Sequence, residues 1–281
     1  MKMKQVAVGM VAAGIAIGAQ ADDFGTGTNT FSIDFVDIGG AGNAADVLTG
    51  YGAVDYTYRI GQKEVTIDQF AKAREGDPRI GNGNEGYWND GTRTAGLDAP
   101  ASYVSAYEAM KFVNYLTTGN AIRGAYQFDE AGDTLLAIDR DAAVASYGTV
   151  YVLPTEDEWY KAAYYKPVDD GSYSIFAHGK SDVVPTVGTS TGWNYGSGFD
   201  SVVWETGSGG MEQNGTYDMM GNVREWNESA SDGSTTNMAA IRVFRGGSAY
   251  ISASNLCSSS RNGGRPAFEY IGVGFRVAVI P

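Results

Sequence analysis

The stretch from Asp169 to Gly215 has neither helical nor strand periodicity, and this constrains the fold more than any other feature. It consists mainly of Gly, Ser, Thr and Asn with scattered aromatic residues. The whole chain shares the bias, with 39 glycines and 18 tyrosines among 281 residues. Glycine permits irregular backbone and aromatic rings supply large packing surfaces, so we expect long ordered loops. A loop region of this length must be held by packing against the domain body or by a bound metal.

Short regular elements are predicted outside this stretch. Period-two alternation predicts two half-buried strands, one at Phe31, Ile33 and Phe35 and one at Val54, Tyr56, Tyr58 and Ile60. Capping boxes predict three helix starts, at Thr66 with Gln69, Ser105 with Glu108, and Thr155 with Glu158. The second helix has its apolar face at Ala109, Phe112, Val113 and Leu116, and Gly119 is placed to end it. With no composition break and no internal repeat, we expect a single domain.

The N-terminus has the pattern of a secretory signal peptide. Lys2 and Lys4 precede an apolar run from Val6 to Gly18, and Ala19-Gln20-Ala21 supplies small residues before a cleavage site. The run is too short to span a bilayer, although an uncleaved anchor is the alternative interpretation. We therefore expect cleavage near Ala21 and a mature chain that is secreted or held at the cell surface. No later stretch predicts a transmembrane segment.

Charge and residue counts exclude several function classes. Without the predicted signal peptide, 18 basic residues face 33 acidic ones, a net charge of −15. Nucleic-acid binding depends on Lys and Arg at phosphates, so we expect no nucleic-acid partner. One histidine, His178, cannot build a multi-histidine metal centre, and one cysteine, Cys257, cannot form an intramolecular disulfide. No nucleophile and base pair stands out, and no catalytic residue is predicted.

Three motifs occur in order near the C-terminus. They are YDMMGNVREW from Tyr217 to Trp226, RVFRGGS from Arg242 to Ser248, and GFRV from Gly274 to Val277. In the first motif Asp218 and Glu225 supply carboxylates and Gly221 permits a sharp turn, a combination that suits a hard cation such as calcium. Spacing alone favours solvated surface acids over a metal site.

The letters, order and spacing of these motifs resemble the formylglycine-generating-enzyme, or sulfatase-modifying-factor, family, in particular its exported bacterial members. Gly61–Thr66, Pro100–Leu116 and Val152–Trp159 extend the resemblance to most of the chain. It implies an α+β fold: one C-type-lectin-like domain, low in regular secondary structure, with long ordered loops. The expected organisation is a signal peptide at 1–21, an N-terminal extension with the first strand at 22–50, and the family domain at 51–281.

The resemblance also implies structural calcium. By this match Asp218 and Glu225 would donate side-chain oxygens to one ion, and Gly221 and Val223 would donate main-chain carbonyls. Asn194 and Tyr195 would belong to a second calcium site. Arg245, Arg261 and Arg276 recur with the C-terminal motifs. Each either orients a ligand carboxylate or forms an internal salt bridge to an acid such as Glu158 or Glu225.

The best-known activity of the family, oxidation of a sulfatase cysteine to formylglycine, uses two thiols that bind copper. With Cys257 alone, we expect neither copper nor that activity. The favoured interpretation is a non-catalytic ligand-binding or structural protein with a protein or glycan partner; the alternative is another oxidoreductase chemistry of this family. The resemblance to C-type-lectin-like variable proteins places the ligand contacts in the C-terminal loop. We call the residues expected to make these contacts the display set: Tyr250, Ile251, Asn255, Asn262, Phe268, Glu269 and Tyr270.

Overall fold

The computed structural model describes residues 19–83, 96–167, 171–196 and 203–281. Its largest sheet has five antiparallel strands in the order β1-β2-β3-β13-β6. These strands are β1 (Gln20–Phe24), β2 (Phe31–Ile38), β3 (Tyr58–Gly61), β6 (Val150–Val152) and β13 (Ala278–Ile280). The C-terminal strand β13 therefore lies between β3 and β6 at the centre of the fold.

The five-stranded sheet contributes side chains to a core on each of its faces. Phe31, Ile33 and Phe35 pack into a core with the first two helices, as the alternation predicts. Val36 and Ile38 belong to a second core on the other side. The second predicted strand is shorter than expected, because only Tyr58–Gly61 pair and residues 54–57 are irregular. Tyr56 lies outside the strand, and its hydroxyl donates a hydrogen bond to the Glu158 carboxylate.

The described residues contain four α-helices: α1 (Ile67–Gly76), α2 (Ala106–Thr118), α3 (Arg140–Tyr147) and α4 (Glu156–Tyr164). All three predicted capping boxes are present, at the starts of α1, α2 and α4. Gly119 ends α2 in the left-handed conformation, with φ 71°. Helices α1 and α2 meet through Phe70 and Phe112, whose rings stack 5.8 Å apart. None of these helices has the length and apolarity required to cross a membrane.

The three C-terminal motifs build the second sheet. Its strand order is β11-β10-β9-β12, and only the β9–β12 pair is parallel. The strands are β9 (Arg224–Ala230), β10 (Arg242–Arg245), β11 (Asn262–Gly264) and β12 (Val273–Gly274). Glu225 lies opposite Arg245 on one side and Gly274 on the other, so one residue of the first motif touches both later motifs. Two ribbons complete the described fold, β4 (Tyr126–Phe128) with β5 (Leu135–Ile138) and β7 (Tyr165–Lys166) with β8 (Ser172–Tyr173).

The stretch predicted to be irregular is irregular over residues 174–196 and 204–215, and main-chain contacts hold it together. The Trp193 N–H donates to the Thr186 carbonyl at 2.8 Å, and the Gly210 N–H donates to the Gly192 carbonyl at 2.8 Å. At the other end of the chain, residues 1–18 of the predicted signal peptide lie outside the described residues. Asp22, where the mature chain is expected to begin, lies in β1 and forms an ion pair with Arg59 at 2.8 Å.

Candidate functional site

A cluster of buried carboxylates surrounds one arginine where the three motifs meet. Glu64, Glu212, Asp218 and Glu225 are each at most 4% exposed, and Arg276 is fully buried. Arg276 binds Glu225 with two bonds, Nε to Oε2 and Nη2 to Oε1, both 2.6 Å. The indole N–H of Trp159 donates to the same Oε2 at 2.6 Å. The described residues place a single buried arginine against this group of four acids, which leaves an excess of negative charge in a water-poor site.

The other acids are held by main-chain and neutral donors. The Val223 N–H and the Asn222 amide donate to the two oxygens of Glu64, at 3.0 and 2.7 Å. Glu212 accepts from the Thr216 hydroxyl and from the Trp193 indole, at 3.0 and 3.2 Å. These hydrogen bonds orient the carboxylates without neutralising them.

Burial raises the pKa of three of the four carboxyl groups. Burial is the largest cause of the raised pKa of Glu64, and the charges of Asp218 and Glu225 raise it further. Burial raises the pKa of Glu212 to about 8, against the opposing attraction of Arg276. The pKa of Asp218 is also raised by burial, although a 2.6 Å hydrogen bond from the Gly207 N–H opposes the rise. The cluster therefore favours either bound protons or a bound cation.

The residues predicted for two calcium sites lie side by side. Asp218 and Gly221 both have left-handed backbone, with φ 62° and 92°. The Asn222 N–H donates to the Asn194 carbonyl at 2.8 Å, which joins the second predicted site to the first. A side chain at position 221 would place its Cβ 2.3 Å from that carbonyl oxygen, so the close approach requires glycine.

The chemistry of this donor set fits a hard cation, with one restriction. The candidate metal ligands are carboxylate, amide or carbonyl oxygens, and the cluster of four acids and one arginine has a negative net charge. Within the described ranges, however, no three His, Cys, Asp or Glu side chains are grouped to hold a metal ion. Glu225 already uses both oxygens for Arg276 and Trp159. Calcium here would therefore depend on Asp218 and on main-chain carbonyls more than on Glu225.

Two of the three arginines from the motifs share another acid. Glu156, at the start of α4, accepts from Arg245 at 2.6 Å and from Arg261 at 2.8 Å. Arg245 also lies over the ring of Tyr51, 4.8 Å from its centroid. The expected internal salt bridges are confirmed, with one difference: Arg245 and Arg261 bind Glu156, because Glu158 is already paired with Arg140.

The display set divides by exposure. Phe268 is 51% exposed, with the Arg265 guanidinium 5.4 Å from its ring centroid, and Asn262 and Glu269 are also exposed. Tyr250 is only 9% exposed, and Tyr270 packs on Trp226 with the ring centroids 5.9 Å apart. The remaining members, Ile251 and Asn255, are half-buried. The exposed members therefore belong to the segment from residue 262 to 269.

Cys257 is half-buried, and its thiol lies 3.1 Å from the Ser254 carbonyl oxygen. Sequence reasoning missed Glu64, Glu212 and Glu156. Glu64 stands in a segment that carries part of the family resemblance, but its burial beside Asp218 depends on a contact between distant parts of the chain. The sequence contains no local signal for it.

The fold and the motif-built centre define a mixed α+β protein of the sulfatase-modifying-factor type. A model of the sulfatase-modifying factor enzyme 1-like domain matches residues 52–280, and the chain belongs to this family. The strands β1 and β2 precede the matched residues and extend the main sheet.

Several solved structures share the fold. Treponema denticola variable protein 1 superposes with a TM-score of 0.63 at 21% identity, over 93% of this chain and 99% of that one. CarF gives a TM-score of 0.63 at 22% identity, over 88% and 97%. PvdO from Pseudomonas aeruginosa gives 0.51 at 16% identity, over 92% and 98%. No curated protein matches this sequence.

Proposed function

We propose that this chain is an exported, non-catalytic ligand-binding protein built on the sulfatase-modifying-factor scaffold. The observation that carries the proposal is the use of the motif residues inside the protein. Arg276 forms an ion pair with Glu225, and Arg245 forms one with Glu156. The side chains of both pairs are at most 4% exposed. Groups that are buried and mutually neutralised hold a scaffold together and are not available to a substrate.

The thiol chemistry of the family supports the same conclusion. Copper bound by two thiolates requires two cysteines, and this sequence has only Cys257. The described residues also lack a group of three metal-ligating side chains that would replace the missing sulfur. Oxidation of a client cysteine by copper therefore has no support in this chain.

Calcium is proposed as a structural ion. Asp218 would bind through its side chain, and Gly221, Val223, Asn194 and Tyr195 would supply main-chain or amide oxygens. The ion would compensate the buried carboxylates and pin the irregular segments to the β9 strand. Glu225 would remain with Arg276.

The proposed ligand surface is the exposed segment from residue 262 to 269. Phe268 offers an exposed ring beside the Arg265 cation, and Asn262 and Glu269 add polar groups, a mixture suited to a protein or glycan surface. A variable protein shares this fold, which supports use of the scaffold for recognition.

A screen of glycans and exported proteins tests the proposal. The full chain should bind at least one member, and Phe268→Ser should weaken that binding by about tenfold or more, since exposed aromatic anchors dominate interface energies. Leu136→Ser is the matched control, because Leu136 is 60% exposed in β5 and lies outside the proposed surface. Equal losses in both variants, or unchanged binding in Phe268→Ser, would refute the proposed surface.

A further inference from the structure

A cavity of about 500 Å³ lies beside the proposed ligand surface, and none of its lining residues belongs to that surface. It is bounded by the start of α3, the end of β9, the loop after β9 and the first residue of β10. Its lining includes Arg140, Thr155, Glu228, Ser229, Thr235 and Arg242. A cavity of this size is large enough for one small organic ligand.

Arg242 in this cavity has no ion-pair partner among the described residues. It is 2% exposed, and within the described part of the chain its guanidinium makes one hydrogen bond, from Nη2 to the Met238 carbonyl at 3.0 Å. Its Nε is buried without an acceptor. Burial lowers the pKa of Arg242, although Glu228 opposes the change. A buried arginine that has no ion-pair partner is costly, so its presence requires an explanation.

The second arginine of the cavity is fully compensated. Arg140 binds Glu158 at 2.8 and 3.1 Å and Glu228 at 2.9 Å, and it also donates to the Leu153 carbonyl. Arg242 is therefore the lining arginine without an ion pair among the described residues, in a lining that also holds Asp139 and Asp141.

Glu228 supplies the complementary group. Its Oε2 accepts from Arg140 and from the Tyr126 hydroxyl at 2.5 Å, while no donor in the described part of the chain reaches its Oε1. The β9–β10 register shifts between Arg242 and Phe244, and Glu228 lies in the irregular part of β9. Arg242 and Glu228 both line this cavity, and they form no ion pair with each other.

The two groups define the ligand chemistry. A guanidinium prefers a carboxylate, sulfate or phosphate, which it binds with paired N–H donors. A free carboxylate oxygen prefers a hydroxyl donor and repels a second anionic charge. The Thr155, Ser229 and Thr235 hydroxyls in the lining suit a polyhydroxylated molecule. These requirements together describe a monocarboxylate that carries hydroxyl groups.

We propose that this cavity binds an acidic sugar, with its carboxylate on Arg242 and a ring hydroxyl on Glu228 Oε1. The site goes beyond the proposed function, because it shares no residue with the 262–269 surface and stands whether or not that surface binds a ligand.

Calorimetric titration of the full exported chain with D-galacturonate tests the proposal. We expect binding of galacturonate, and at least tenfold weaker binding of its methyl ester and of galactose, because both lack the negative charge. Arg242→Gln should weaken galacturonate binding by at least tenfold, as expected for loss of a charged hydrogen bond. Arg224→Gln is the control, since Arg224 is also partly buried with an unpartnered Nε but does not line the cavity.

Two further readouts separate binding from a structural role. If Arg242 serves a ligand, Arg242→Met should melt at the same temperature as the unliganded wild type or higher, and galacturonate should no longer raise that temperature. A clear fall in the melting temperature of Arg242→Met, with galacturonate binding unchanged in Arg242→Gln, would assign Arg242 to packing and overturn the proposal. Absence of galacturonate binding, or inorganic phosphate binding as tightly, would overturn the assignment of an acidic sugar.

Discussion

Single side chains set the electrostatics of the buried centre. Four carboxylates and one arginine form the cluster, where burial raises the pKa of Glu64 and Glu212 and the charge of Asp218 raises both further. The one neutralised acid is Glu225, which is held by Arg276 and Trp159. The Glu225–Arg276 pair should therefore be the most sensitive contact of the cluster.

Glu225→Gln should destabilise the protein by about 3–5 kcal/mol, because it removes the hydrogen-bonded charge partner of the buried Arg276. Urea unfolding with a chelator present measures the change without a contribution from metal loss. Asp68→Asn is the control: it removes the partner of Lys72 in a partly exposed i,i+4 pair and should cost less than about 1 kcal/mol. A change in Glu225→Gln as small as in this control would contradict the central role of the pair.

Glu212 predicts a pH dependence of stability. Its folded pKa of about 8 lies above the ordinary value for a glutamate, so the folded state binds the proton more tightly than the unfolded state. The stabilising contribution of that proton is complete below about pH 4 and is lost as the pH rises through 8. Without metal, the free energy of unfolding should fall between pH 5 and pH 8, and Glu212→Gln should flatten the curve. An unchanged slope in the variant would show that Glu212 does not carry the effect.

Among the elements, the helices follow their local sequence closely. At the start of α2 the Glu108 N–H donates to the Ser105 hydroxyl oxygen at 3.2 Å, and the Glu108 carboxylate accepts from the Ser105 N–H at 2.8 Å. The same reciprocal arrangement starts α1 and α4. A capping box forms within four consecutive residues, so it does not depend on contacts with the rest of the fold.

Ser105→Ala should lower the free energy of unfolding by about 1 kcal/mol, because the Glu108 N–H loses its acceptor in a buried place. Ser146→Ala is the control, since Ser146 is exposed within α3 and donates only to the Ala142 carbonyl one turn earlier. Its effect should stay within about 0.5 kcal/mol. Equal effects of the two substitutions in thermal or urea unfolding would contradict the capping assignment.

The sequence predicts local features of this fold and misses its long-range pairings. Capping boxes and the alternation at Phe31 to Phe35 are encoded within a few residues, and all of them appear. The insertion of β13 between β3 and β6 is not predictable in that way, because it joins strands more than 100 residues apart. The early exit of Tyr56 from the sheet likewise depends on the distant acid Glu158.

The same division holds for the candidate site. The motif letters point to Asp218, Gly221 and Glu225, which the fold does bring together. Local spacing cannot show that Arg276 occupies Glu225, or that Glu64 and Glu212 add two more buried charges. The cavity with Arg242 is lined by residues of α3, β9 and β10, which local spacing in the sequence does not bring together.

If calcium is structural, the melting temperature of the whole molecule should depend on whether the metal is present. A chelator should lower the melting temperature markedly, because an ion bound only to the native state stabilises it by mass action. Asp218→Asn should lose most of that dependence, whereas Asp34→Asn, a control acid outside the cluster, should keep it. Equal melting of the wild type with and without chelator, or no metal by elemental analysis, would refute the calcium proposal.

We propose that this scaffold recognises ligands and does not oxidise cysteine. The most direct measurement is mass spectrometry of a sulfatase-type cysteine peptide after incubation with the purified chain, copper(I) and oxygen. We predict an unchanged peptide, and an anaerobic titration with no tight two-thiolate copper site, because Cys257 is the only thiol. Conversion of the peptide cysteine to the aldehyde, lost in Cys257→Ser, would contradict the account.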